Sequence, residues 1–209
     1  TLFRSERDIE IFKTKNKLKN VHFAGDTKWW RAKERAENLA EKIKDHTIQK
    51  LFDFVHKIKR QQKKCIVFGS PHVEEHNLAL HCAENFKNNA IILYVPHEVT
   101  SESCLLIKNQ LEKKGVGAVL YSELLLLQDN QFNTMITPLN CIIVDMVGFL
   151  AEIYSLGDIA VVGGGFDGQI HNVLEPVAHG KPVLIGSRVK RAPETILLAE
   201  RGVLLLFES

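Results

Sequence analysis

From Lys64 onward the chain repeats one pattern: a short unbroken apolar run that ends in small, polar or acidic residues, followed by a helical or loop segment. The runs are "CIVFGS", "AIILYV", "GAVLYS", "CIIVD", "DIAVVGGG" and "KPVLIGS", with "GVLLLFES" closing the chain. Apolar runs without alternation belong to strands covered on both faces, so the pattern predicts an α/β fold with a doubly wound parallel sheet. In such sheets ligands meet the carboxyl ends of the strands. That rule singles out Gly69 and Ser70, Pro96 to Glu98, Asp145 to Phe149 and the loop at Gly163. Before Lys64, "WWRAKERAENLAEKI" and "TIQKLFDFVHKIKR" carry apolar residues at helical spacing and are expected to be amphipathic helices. A short helix, "SERDIEIFKTK", and a strand, "NVHFAG", precede them. Gly25-Asp26 marks a domain junction, with Trp29 and Trp30 expected to pack against it. "LQDNQFNTMITPLN" reads as a surface connection.

With 209 residues, 45% of them hydrophobic and 25% charged, the chain is ordinary globular material. No apolar run approaches the ~20 residues of a membrane span. Cys65, Cys82, Cys104 and Cys141 form no C-x-x-C, which predicts reduced, mostly buried thiols rather than zinc ligands or disulfides. Net charge is +2, but residues 1 to 64 hold 18 basic and 9 acidic side chains against 9 and 16 in the remainder. A basic first third predicts the solvated sides of amphipathic helices before it predicts a face that meets something anionic. The first residue is Thr and the last segment stops on a strand, so the chain is expected to be a piece of a longer one, and "TLFRS" need not be native.

Two local motifs suggest opposite chemistries. "HVEEH", His72 to His76, matches the H-x-x-E-H metalloprotease pattern. It follows a strand end, with Pro71 at a helix start, and is read as the opening turn of a surface helix. "GGGFDGQIHNVLEP", Gly163 to Pro176, satisfies G-x-G-x-x-G, and Arg188, Lys190 and Arg191 about 20 positions on would suit NADP. The same loop also leads into a helix expected to begin near His171 or Asn172 and to end at Gly180. Its glycines and free amides would admit a phosphate, and Asn172 and Glu175 share one helix face, where Glu175 could accept two ribose hydroxyls.

"GDTKWWR", "FGSPHVEE", "VPHE", "VDMVGFLAEIYSLGDIAVVGGGF" and "IHNVLEPVAHGKPVLIG", in this order, resemble signatures of the 3-deoxy-D-manno-octulosonic acid (Kdo) transferases of bacterial lipopolysaccharide synthesis. The resemblance runs from about Ile9 to the last residue. It implies a Rossmann-like domain that is the C-terminal half of a GT-B glycosyltransferase. Residues 1 to 26 would be the end of the acceptor domain and a linker, and residues 27 to 209 a donor-binding domain truncated at its C-terminus. The implied activity is inverting transfer of Kdo from CMP-Kdo to a lipid A precursor at the cytoplasmic face of the inner membrane, without nucleic acid and without a cofactor. By carry-over, Pro96, His97, Val147, Gly148, Phe149, Asn172, Val173, Leu174 and Glu175 would meet the donor nucleotide. Gly69, Ser70, Gly163, Gly164, Gly165 and His171 would support them. His97 stands where the family has arginine, and Phe149 where it has glutamate. The catalytic base is implied in the acceptor domain, so this chain alone would bind donor and transfer nothing. No D-x-D occurs, and no metal is assigned. The basic first third, including Lys15, Lys17 and Lys19, is expected to face anionic lipid. Three alternatives remain open at this point: a UDP-sugar GT-B enzyme or epimerase, an NADP oxidoreductase domain and a non-catalytic nucleotide-binding or interaction module.

Overall fold

The computed structural model describes residues 2–3, 6–15, 17, 20–23, 26–127, 139–189 and 193–208. Gly25, Lys19, Lys190, Arg191 and most of "LQDNQFNTMITPLN" lie outside the described residues. At the start, β1 (Leu2–Phe3) and β2 (His22–Phe23) pair in parallel as a sheet of their own, with helix α1 (Glu6–Lys15) between them in sequence.

The expected parallel sheet has seven strands: β3 (Lys64–Gly69), β4 (Ala90–Val95), β5 (Gly117–Leu120), β6 (Leu139–Ile143), β7 (Ile159–Val162), β8 (Val183–Gly186) and β9 (Leu204–Phe207). Their spatial order is β5-β6-β4-β3-β7-β8-β9, and every pairing is parallel. All six residues of β4 are buried, as an unbroken apolar run requires of a strand covered on both sides. Cys65, Val67, Ile91 and Leu93 enter one hydrophobic cluster, and Phe68, Ile92 and Tyr94 enter the other. Period-2 alternation therefore divides each strand between two cores. Helix α4 (His46–Lys59) covers the first face with Ile48, Leu51, Phe52, Val55 and Ile58, while Asp45 accepts the Thr47 amide at 2.9 Å as its N-cap. Helices α5 (Val73–Asn85) and α6 (Ser101–Lys113) cover the other face through Ala79, Ala83, Cys104 and Leu111.

Three local expectations are corrected. The first basic segment is not one helix: α2 (Thr27–Glu37) stops at Asn38 and α3 (Leu39–Lys42) resumes, since asparagine is a weak helix former that competes for backbone bonds. "GAVLYS" ends as a strand at Leu120, where the Glu123 carboxylate accepts the Leu120 amide at 3.0 Å and opens α7 (Tyr121–Leu125). Trp30 is 67% and Trp29 37% exposed, so neither is enclosed by this chain.

Part of the basic excess of residues 1 to 64 has a structural use. Lys50 donates to the Leu125 carbonyl, Lys63 to that of Leu139, and Lys59 to that of Leu156 and to Asp158. All four cysteines are free and three are buried; burial pushes the Cys65 thiol up to about 12. Among the described residues no helix is long and apolar enough to cross a membrane.

Candidate functional site

The sheet order reverses at β3: the chain moves outward through β4 to the far edge, then crosses back to place β7 on the other side of β3. The carboxyl ends of β3 and β7 therefore flank a crevice. Ser70 turns the chain there in a left-handed conformation, φ 51°, uncommon for a residue with a Cβ. Its amide donates to the Val95 carbonyl at 2.9 Å, and the Gly163 amide donates to the Gly69 carbonyl at 3.0 Å. The loops after β3, β4 and β7 are thus tied together by backbone bonds.

These bonds account for the glycines in a way the sequence does not reveal. A Cβ on Gly163 would lie 1.9 Å from the Ser70 carbonyl oxygen, and Gly164 has φ +82° with the Gln169 carbonyl 2.1 Å from where its Cβ would be. The Gly165 amide donates to Glu75 at 3.2 Å and its carbonyl accepts the Arg188 amide at 2.8 Å. The loop is closed onto its own chain at these positions, and not opened there toward a pyrophosphate.

The helix after the loop, α9 (Leu174–Ala178), starts later than expected. Asn172 delays it by accepting the Leu174 amide on its side-chain oxygen at 3.0 Å, an Asx turn that occupies the first free helical donor. Val173 and Leu174 are buried in the core, so their side chains are not available to a ligand. Gly180, φ +66°, follows the helix as expected.

Between α9 and α2 lies a groove of about 500 Å³ in which Asn172 and Glu175 face Lys28, Arg31, Arg35 and Lys42. Arg35 organises it. Its Nε donates to Glu152 at 2.7 Å and its Nη2 donates to the other Glu152 oxygen at 2.9 Å and to the Gly148 carbonyl at 3.1 Å. Its Nη1 stands 3.9 Å from Glu175. Glu152, only 2% exposed, sits in α8 (Leu150–Ile153) just beyond the β6 loop. Burial raises the Glu175 carboxyl above the ordinary glutamate range, against the opposing pull of Arg35 and a hydrogen bond from Asn172. On the other side of Arg35 the groove continues as a hollow of about 770 Å³ lined by Gly148 and Phe149. Val147 is 75% exposed.

Pro96 and His97 do not join this groove. They line a separate hollow of about 730 Å³ with His72 and Asp167. There the His72 Nδ1 meets Asp167 at 2.5 Å and its Nε2 meets the His171 Nε2 at 3.0 Å. The His97 ring centroid lies 4.7 Å from that of His171 and 5.2 Å from that of His72. The Gln169 amide and the His72 ring hold Asp167 below the usual carboxylate range, and burial lowers His171. His76 points elsewhere, to the Tyr94 hydroxyl and Gln110, both at 2.9 Å. The two histidines of "HVEEH" therefore do not converge; the expected helix is present, but it starts at Val73 with His72 as its N-cap, so Pro71 precedes the helix instead of opening it. Its glutamate, Glu75, is fully buried and accepts the amides of His72 and Gly165, at 3.1 and 3.2 Å, joining the β3 and β7 loops.

The carried-over residues thus fall on two sides of one sheet edge. The sequence pattern singles out neither Arg35 nor Glu152, and it offers Glu75 only as the carboxylate of "HVEEH". Arg35 lies in the quoted basic helix, where it was read as charge alone.

No protein-family model matches the chain. The chain is 30% identical over 143 residues to a 3-deoxy-D-manno-octulosonic acid transferase of Chlamydophila psittaci, covering 68% of this chain and 30% of that one. It is 31% identical over 162 residues to a bifunctional glycosyltransferase/methyltransferase of Fusobacterium nucleatum, covering 74% and 24%. It therefore spans less than a third of the length of these relatives. Its fold matches the crystal structure of the C-terminal CMP-Kdo binding domain of WaaA from Acinetobacter baumannii. The TM-score is 0.56 at 18% identity, with 75% of this chain and 82% of that one covered.

Proposed function

Because the chain is a relative of the Kdo transferases, we propose that residues 27 to 209 are the donor-binding half of a GT-B glycosyltransferase. The whole enzyme moves Kdo from CMP-Kdo to a lipid A precursor with inversion, at the cytoplasmic face of the inner membrane. Residues 1 to 26 are the end of the acceptor domain and its linker. The observation that carries the reading is the groove in which Asn172 and Glu175 face Arg31, Arg35 and Lys42.

A nucleoside phosphate needs an acceptor for the ribose hydroxyls and cations for the phosphate, and the groove offers both. Glu175 takes the hydroxyls in its ionised form, which the Arg35 guanidinium favours against burial. The departing phosphate gains negative charge in the transition state, where cations beside it such as Arg31 and Lys42 contribute most. With a helix of only five residues whose first amide is engaged by Asn172, the phosphate is assigned to these side chains and not to a helix dipole. The base that activates the acceptor hydroxyl belongs to the acceptor domain, so this chain alone binds donor without turnover. A dinucleotide reading is less well supported, because Gly163 and Gly164 are packed against backbone.

Ligand-observed NMR with CMP, UMP and NADP in one tube tests the reading. Binding of CMP alone, lost in a folded Glu175→Ala variant, is the expected result; binding of NADP without CMP refutes it.

A further inference from the structure

We propose that His72, His97 and His171 form a site for one divalent transition-metal ion, with an open coordination position toward solvent. The inference holds whether or not the neighbouring groove takes a nucleotide sugar, and it rests on side chains that do not line that groove.

The three rings come from the loops after three different strands, β3, β4 and β7, and one ring nitrogen of each lies within 4.8 Å of the other two. Tetrahedral zinc with imidazole nitrogens at 2.0 to 2.1 Å separates those nitrogens by about 3.3 Å. The His72 and His171 Nε2 atoms are already 3.0 Å apart. His97 is exposed, so its ring has room to turn toward the other two.

What surrounds the rings matches a ligand set better than a hydrogen-bonded cluster. Asp167 does not lie among them but behind His72, where it receives the Nδ1 proton at 2.5 Å. That bond leaves the His72 Nε2 lone pair directed at its partners, as carboxylates behind metal-bound histidines do. The backbones beneath are fixed as well. Glu75 binds the amides of His72 and Gly165, and the His171 amide donates to the Gly163 carbonyl at 3.2 Å. The rings are therefore held by a scaffold tied across β3 and β7.

The donor set selects the ion. Three imidazoles suit zinc, copper or nickel and offer nothing to magnesium or calcium, which take oxygen ligands. Three protein ligands with a fourth position free is the arrangement of a site that binds or activates a small group, where purely structural zinc sites use four. The hollow lined by His72, His97 and Asp167 lies beside the rings and gives a fourth ligand, water or an anionic oxygen, room to enter.

The test uses the tag-free chain, stripped with chelator and titrated with zinc and cobalt alone. One equivalent is expected to bind, with visible cobalt absorption bands. His97→Ala and His171→Ala are expected to weaken binding about 100-fold and Asp167→Asn about 10-fold. His76→Ala, whose ring is engaged by Tyr94 and Gln110, is expected to leave it unchanged. His97 is exposed, so that variant keeps its fold, which circular dichroism verifies. Wild-type affinity in folded His97→Ala and His171→Ala overturns the proposal, as does the absence of binding by the folded wild type up to about 1 mM metal.

Discussion

The two halves of the sheet's carboxyl edge share the loop after β7 and yet differ in chemistry. On the side of α2, four cations face Asn172 and Glu175, and Arg35 is paired in bidentate fashion with a carboxylate that is almost completely buried. On the side of α5 the principal groups are three imidazoles with one carboxylate behind them. His171 and Asn172 are consecutive, but the first meets His72 and the second lines the groove. One peptide bond thus separates an ion-pair network from an imidazole cluster. The glycine loop before them is the shared support, so damage to the loop should strike both regions, whereas damage to Arg35 should strike one.

The largest effect is expected from Gly163→Ala. Its Cβ would stand 1.9 Å from the Ser70 carbonyl oxygen, a backbone atom that cannot rotate away. The loop must shift, at a cost of about 3 kcal/mol or more. Thermal unfolding should fall by about 6–12 °C for a chain of this size, and both CMP and zinc binding should be lost. Retention of either would show that the two regions do not share this support.

Arg35→Ala comes next. It strands the Glu152 carboxylate, 2% exposed, and frees the Gly148 carbonyl. A fully buried pair broken on one side costs roughly 3–5 kcal/mol, and the partial exposure of Arg35 reduces that to about 2 kcal/mol. Calorimetry should show this loss together with loss of CMP binding, while zinc affinity changes by less than about twofold, as for independent sites. A parallel fall in zinc affinity would join the two regions into one.

Much of this arrangement could be read from the sequence, and the rest could not, for identifiable reasons. The strands of the main sheet are announced by unbroken apolar runs, which a strand covered on both faces such as β4 requires; β9 carries the same kind of run although Leu205 is 57% and Leu206 43% exposed. The sheet order is not announced, since β6 and β7 differ in position by a crossover that leaves no trace in either run. Asn172 and Glu175 are legible because they are three apart on one segment. Arg35, Glu152 and Gly148 form their contact from 113 to 117 residues apart in sequence, and nothing in the local pattern distinguishes Arg35 from Arg31. "HVEEH" misdirects for the same reason: local spacing pairs His72 with His76, and the fold pairs it with His97 and His171. The absence of D-x-D speaks only of neighbouring carboxylates and is silent about imidazoles gathered from three loops.

The smallest effect, and the sharpest for the charged region, is the pH dependence of Glu175→Gln. Burial raises the Glu175 carboxyl, so the folded state holds that proton more tightly than the unfolded chain does. Its contribution to stability is then fully present below the ordinary glutamate value and is lost as pH rises through the folded value. Above that point the ionised side chain is a cost that Arg35, 3.9 Å away, offsets only in part. Glutamine removes the titration, so the difference in unfolding temperature between wild type and Glu175→Gln should move in favour of the variant from about pH 4 to pH 7. The subtraction cancels the carboxylates remote from Glu175 and leaves Glu152, whose charge acts on Glu175, as its coupled neighbour. If the variant is instead less stable at pH 7 with no change across that range, Glu175 is a structural partner of Arg35. The expected result, a variant no less stable at pH 7 but unable to hold CMP, would mean that the carboxylate is kept ionised against its surroundings for the sake of a ligand.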